Sequence, residues 1–141
     1  MNAKELLLRL GVVLGLELYI SDEGVCRIYF DDDAVDFEIT SEGICLIAEL
    51  GILPSQDNTN LYRTLLTANL FGIATAGATL SIDPDLDSIF LHKMLYNGLS
   101  YSDFETQVEF FIKVLRHWKR QLLENPLTTE EHNVPFYSLR I

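Results

Sequence analysis

The sequence predicts one α+β domain with the order α-β-β-β-α-β-β-α, an antiparallel sheet flanked by helices. Three observations carry this prediction. Apolar residues recur every three to four positions in three stretches, alternate with polar residues in five others, and short acidic or glycine-containing turns join the alternating stretches. A chain of 141 residues has room for one domain with a real core and not comfortably for two. The domain is expected over residues 1–124, leaving 125–141 as a partly apolar C-terminal tail.

Asn2 can cap the first helix, with Glu5 placed at its first turn, and the apolar pattern runs on to Leu16. Ala3, Leu6, Leu7, Leu10, Val13 and Leu14 form a stripe expected to face the core. Leu8, Val12 and Leu16 form another on the opposite side, which either lies under a loop or strand or makes a binding patch. From Val25 the period changes to two. Cys26, Ile28 and Phe30 alternate with Val25, Arg27 and Tyr29; after an acidic turn at 31–33, Val35, Phe37 and Ile39 alternate with Asp36 and Glu38. A second turn, Ser41-Glu42-Gly43, precedes Ile44, Leu46, Ala48 and Leu50, completing a meander. Pairing in order places Cys26 and Cys45 two strand spacings apart, too far for a disulfide, so both are expected as small buried apolar groups.

The segment 51–59 reads as a connection, with Asn58 or Thr59 available to cap a central helix over 61–70. That helix is unusually apolar. Leu61, Leu65 and Ala68 fall on one side and Tyr62, Leu66 and Leu70 on the next, a band roughly 200° wide where packing on one sheet needs about half of that. The surplus requires a second covering, and a second copy of the chain is the expected one. A loop at 72–77 leads to a hairpin with Ala78, Leu80 and Ile82 on its first strand, a turn at 83–87, and a return strand over 89–95. Ser102 and Glu105 have the spacing of a capping box for the last helix. Its seam is Phe104, Val108, Phe111, Leu115, Trp118 and Leu122, and Asn125-Pro126 ends it. The tail finishes with Val134, Phe136, Tyr137, Leu139 and Ile141, too apolar for a solvated tail, and is expected to dock on its own domain or in a partner groove.

Ten basic against 21 acidic residues give a formal charge of −11, which disfavours nucleic acid as a partner. A basic or neutral, apolar-rich polypeptide fits better. No apolar run approaches the roughly 20 residues needed to span a bilayer, so no membrane insertion is expected. The stretch MNAKELLLRL lacks the features of a signal peptide, and a cytoplasmic location is expected. No catalytic site, metal or cofactor is expected. Asp83, Asp85 and Asp87 match the first three ligand positions of a calcium loop, but Ser88 and Met94 stand where glycine and glutamate are needed. Asp31, Asp32 and Asp33 have no further ligand at recognisable spacing. His92, His117 and His132 are scattered outside any hydrolase or metalloprotease motif, and Gly72 and Gly77 do not make a phosphate loop.

A leucine-rich first helix ending LGVVLGLEL, three strands with an acidic turn, a helix carrying LLTAN, the pair ATLSID and IFLHKML, and a long last helix with a tryptophan resemble the class I type III secretion chaperones. These are the Tir-chaperone, or CesT-like, family. The resemblance covers Ala3 to about Glu124. It implies a bacterial cytoplasmic homodimer, without catalytic residues, that holds the N-terminal segment of a secreted effector in an extended, secretion-competent state. It implies delivery to the secretion apparatus, with the secretion ATPase as a further partner. For effector binding the expected residues are Leu8, Val12, Leu16, Val25 and Tyr29; for the dimer interface, carried over from the family's central helix, Tyr62, Leu65, Leu66, Asn69 and Leu70. Two alternatives remain: a dimeric adaptor or regulatory-protein binder of the same fold, and a small metal-dependent hydrolase using the acidic turns.

Overall fold

The structure is a computed structural model and describes residues 1–124, so the tail expected over 125–141 lies outside the described residues. Helix α1 (Ala3–Leu14) is followed by strands β1 (Val25–Phe30), β2 (Asp33–Ile39) and β3 (Gly43–Ile52). Helix α2 (Thr59–Ala68), strands β4 (Thr79–Asp83) and β5 (Ser88–Tyr96), and helix α3 (Tyr101–Glu124) complete the chain. The expected elements form in the expected order, with a short 3-10 turn, Leu70–Gly72, added after α2.

The strands form one antiparallel sheet in the order β1-β2-β3-β5-β4, so the meander pairs in sequence and β1 and β4 are the edges. Strand alternation sends Ile28, Val35, Phe37, Ile44, Leu46, Leu80 and Leu91 to one buried face. Against it lie Leu6, Leu7 and Leu10 of α1 and Phe104, Phe111, Leu115 and Trp118 of α3. The buried Trp118 indole donates to the Ala74 carbonyl at 3.2 Å, which fixes the α2–β4 connection to α3. The opposite face, carrying Arg27, Tyr29, Cys45, Ile47, Phe90 and His92, stays partly open to solvent. Cys45 is accordingly half-buried, whereas Cys26 meets the expectation of a buried thiol; both are free. Gly43 sits where the start of β3 passes β5 so closely that a Cβ would lie 2.0 Å from the Leu95 carbonyl oxygen.

Three boundaries differ from the sequence expectations. Helix α1 stops at Leu14, not Leu16, because Gly15 takes a left-handed conformation and its N–H returns to the carbonyls of Gly11 and Val12. The chain then folds under the helix. Leu18 packs so near Gly11 that a Cβ there would lie 2.7 Å from the Leu18 side chain, and Val13 and Leu14, expected in the core, are left exposed. Helix α2 is capped by neither Asn58 nor Thr59: the Asn58 amide donates to the Pro54 carbonyl, and the Asp57 carboxylate accepts from the Thr59 N–H at 3.0 Å. The Ser102–Glu105 box does not form. Ser100 caps α3 instead, its hydroxyl accepting from Asp103 N–H at 3.1 Å, because Tyr101 belongs to the first turn, where its ring packs tilted against Phe104 and lies under the Arg9 guanidinium.

The central helix is two-faced. Leu61, Leu65 and Ala68 are buried in the domain's own core, while Tyr62, Leu66 and Leu70 are exposed. Two residues expected at the dimer interface therefore point inward. Leu65 is 4% exposed. Asn69 closes the β4 edge at Leu80, its side-chain amide donating to the Leu80 carbonyl and its oxygen accepting from the Leu80 N–H, both at 2.8 Å. Truncation to Asn69→Ala strands two part-buried backbone groups and is expected to cost about 1–3 kcal/mol, read as a lower urea midpoint at unchanged slope. A midpoint equal to wild type contradicts this closure.

The acidic β1–β2 turn is a clamp on α3. Asp33 accepts from Arg116 at 2.8 Å and Lys119 at 2.7 Å, and Arg116 also reaches Asp31 and the Phe30 carbonyl. Burial pushes the Asp33 carboxyl up, but the hydrogen bonds from Lys119 and Arg116 outweigh it and hold the group below its ordinary value. A depressed folded-state pKa stabilises the fold fully above the unfolded value of about 3.9, and that contribution is lost as pH falls through the folded value. Asp33→Asn is expected to lower stability at pH 7 and to flatten its acid limb in urea titrations from pH 7 to 3. An acid limb as steep as wild type contradicts the clamp.

Candidate functional site

Strand β1 has an open side. The Gly24 carbonyl accepts from Ile39 N–H at 2.8 Å, which makes this a hydrogen-bonded pair of the β1–β2 ladder. Alternation along an antiparallel ladder then turns the N–H and C=O of Val25, Arg27 and Tyr29 away from β2. Val25 is satisfied locally, its N–H by the Ser21 hydroxyl at 3.1 Å and its C=O by the Ser21 N–H at 2.9 Å. Among the described residues, the corresponding groups of Arg27 and Tyr29 have no main-chain or side-chain partner.

Beside this edge lies a groove of about 810 Å³ between residues 16–21 and β1, with Leu16, Leu18, Val25, Ile28 and Tyr29 as its apolar lining. A second cavity of about 470 Å³ shares Leu16 and Tyr29 and continues past Leu14 and Phe30 to Ile112 of α3. Tyr29 is 61% exposed at their junction. Arg27 does not screen the edge: its guanidinium is drawn across the outer face into a two-point pair with Asp36 at 2.7 and 2.9 Å, which raises its pKa further above the ordinary value. The structure thus brings together Leu16, Val25 and Tyr29 of the expected binding residues. Leu8 and Val12 form a separate exposed strip on α1, and Leu16 does not continue it, lying beyond the helix. Leu14, Leu18 and Ile112 were not expected here. Gly15 is the signal that finds the first two, since a glycine after Leu14 can end the helix and re-aim the leucines that follow.

A second apolar surface lies at the end of α2. Tyr62, Leu66, Leu70 and Ile73 are exposed there, and Phe71 is 87% exposed with a left-handed φ of 57°. A bulky residue in that conformation carries strain. An aromatic ring is here held in water at a conformational cost.

Acidic residues of two turns have structural employment. Asp83 accepts from the backbone of Asp85 and Leu86 and so shapes the β4–β5 turn, and Asp31 and Asp33 clamp α3. No three His, Cys, Asp or Glu residues are grouped for a metal among the described residues. Burial, with Asp36 beside Cys26 and Glu38 beside Cys45, pushes both thiols up, away from the thiolate form. Burial pushes Lys93 down, yet its ammonium is held by the Ala76 carbonyl at 2.9 Å and by Gln107 at 2.7 Å.

No helix among the described residues is long and apolar enough to cross a membrane. The chain is 34% identical to a Chlamydia pneumoniae protein over 80 residues, 56% of this chain, and spans about three fifths (61%) of that relative's length. Its fold is similar to that of a chain in the HopA1–SchA chaperone–effector complex, with TM-score 0.67 and 21% identity over 83% of this chain and 92% of that one. A chain of the ExsC–ExsE complex matches with TM-score 0.73 and 19% identity, covering 86% and 97%. A chain of the heterodimeric ExoU–SpcU complex from the type III secretion system of Pseudomonas aeruginosa matches with TM-score 0.63 and 20% identity, covering 90% and 100%. The family model of the Tir chaperone protein (CesT) family matches residues 3–119, and the chain belongs to that family.

Proposed function

We propose that this chain is a homodimeric type III secretion chaperone that holds the N-terminal segment of a secreted effector in an extended, secretion-competent state in the bacterial cytoplasm. The observation that carries the reading is the edge of β1 at Arg27 and Tyr29, unpaired among the described residues, beside an apolar groove. An extended segment added to that edge gains main-chain hydrogen bonds irrespective of sequence, and its alternate side chains enter the groove. The domain at 1–124 works by binding and not by catalysis. Leu16, Val25 and Tyr29 receive the strand, and Leu8 and Val12 make a separate contact as the client wraps α1. Ordering such a segment costs about 2–5 kcal/mol, which several shallow contacts can offset. The family match and the chaperone–effector complexes among its structural neighbours support the same reading.

The dimer forms through the exposed side of α2 and the 3-10 turn after it. Tyr62, Leu66 and Leu70 are retained from the sequence expectation, Phe71 and Ile73 join them, and Leu65 and Asn69 support the surface from inside. Covering an exposed, strained Phe71 gives that conformation a use.

Two outcomes check these assignments. Leu66→Glu with Phe71→Glu is expected to leave circular dichroism unchanged and to convert a dimer to a monomer in sedimentation at micromolar concentration; a monomeric wild type, or a dimeric variant, contradicts this interface. Leu16→Glu with Tyr29→Glu is expected to remain a dimer and to lose co-purification of the secreted client from the native host, and Leu8→Glu with Val12→Glu to reduce it. Full client recovery with the groove variant would place the binding surface elsewhere.

A further inference from the structure

The groove beside β1 carries a local charge pattern as well as an apolar lining, and the pattern limits which extended segments it accepts. We propose that the client segment places Lys or Arg against Glu17 and Glu23, in the residues flanking those that pair with β1, and that these two carboxylates select it. This rests on the reading of the groove as the client site and names the kind of segment that fits there.

The first support is the charge of the lining. Among the described residues, the charged side chains of the 810 Å³ groove are Glu17, Glu23, Arg27 and Asp36. Arg27 and Asp36 neutralise each other in their pair at 2.7 Å. Glu17 and Glu23 are exposed and, among the described residues, form no ion pair. The adjoining cavity is different. Its acidic residues Asp31 and Glu109 are matched by Lys113 and Arg116, and Arg116 is already bound to Asp31 and Asp33. The negative surplus therefore belongs to one side of the groove, the segment 16–23, and is more specific than the charge of −11 on the whole chain.

The second support is where a strand must leave the sheet. Ser21 already bonds the outward N–H and C=O of Val25, so an added strand pairs at Arg27 and Tyr29 and departs at Val25. Beyond that point it passes the segment 16–23, where both free carboxylates stand. Basic residues are thus placed in the flank of the paired stretch, and alternate apolar residues within it. Lys and Arg suit this flank by shape as well, since their aliphatic stems can lie along Leu16 and Leu18 while the charged ends reach the carboxylates. Exposed pairs of this kind add little affinity each. Their effect is discrimination, because a segment with Asp or Glu in the same place meets like charge.

Two synthetic peptides test this on the full chain by fluorescence anisotropy. Both have a core of alternating valine and threonine, flanked at each end by two lysines in one and by two glutamates in the other. The lysine peptide is expected to bind wild type at least about tenfold more tightly, with the difference narrowing between about 0.05 and about 0.5 M salt. Glu17→Lys with Glu23→Lys is expected to abolish or invert the preference. Glu42→Lys with Asp85→Lys changes the net charge equally at exposed turn positions outside the groove and is expected to keep it. Equal binding of the two peptides by wild type overturns the proposal, as does a lysine preference that survives in the Glu17–Glu23 variant or falls equally in both variants. If the peptides still lose binding in Leu16→Glu with Tyr29→Glu, those results leave the groove standing as the client site. Failure of wild type to bind either peptide counts against the groove as a strand-accepting site, and this proposal falls with it.

Discussion

A five-stranded antiparallel sheet has two faces and two edges, and every outward main-chain group on an edge must find a partner or remain in water. Among the described residues, this chain closes one face and part of each edge from within. The face under α1 and α3 is filled by aromatic and aliphatic side chains, with Trp118 and Phe37 at its centre. At Leu80 the β4 edge is closed by a single side chain, Asn69, which presents an amide much as a neighbouring strand would. Among the described residues, the β1 edge receives no such device beyond Val25. The apolar groove beside the open part of β1 is what makes a binding role physically reasonable, because a protein needing only stability gains nothing from an unpaired edge lined with leucine and tyrosine.

The charged groups follow the same division of labour. Acidic residues cluster in turns, but Asp31 and Asp33 of the β1–β2 turn hold α3 through Arg116 and Lys119, and Asp83 of the β4–β5 turn accepts from the turn's own backbone. The clamp matters to the groove because Arg116 fixes α3 against the end of β1, where the second cavity runs from Tyr29 to Ile112. The Arg27–Asp36 pair lies on the open face and draws the guanidinium away from the edge. Partly exposed pairs of this kind add little stability; their use here is in placement.

The regular elements were legible in the sequence because their burial is periodic. Alternation fixed β1, β2 and β3, the four-three seam fixed α3, and of the wide apolar band of the central helix one side is buried and the other exposed. What could not be read were the terminations and the side-chain hydrogen bonds. Leu16 looked like the next residue of a helical stripe until Gly15 turned the chain, and Ser102 had better capping spacing than Ser100, which wins because Tyr101 packs on Phe104. Asn69 illustrates the general case. Its position between two apolar sides implied a need for a partner, but only the sheet order reveals that the partner is the backbone of Leu80. The groove was half legible for the same reason: Val25 and Tyr29 follow from strand alternation, whereas Leu14 and Leu18 depend on a helix end.

The central claim is that the β1 edge and its groove receive an extended client segment. A photo-crosslinking residue placed at Tyr29 of the full chain in the native host, with a control at Ile47 on the open face, tests it most directly. Crosslinking from position 29 to the N-terminal segment of a secreted protein, and not from position 47, is the result expected. A client that co-purifies yet crosslinks only from position 47, or from neither, would contradict the account.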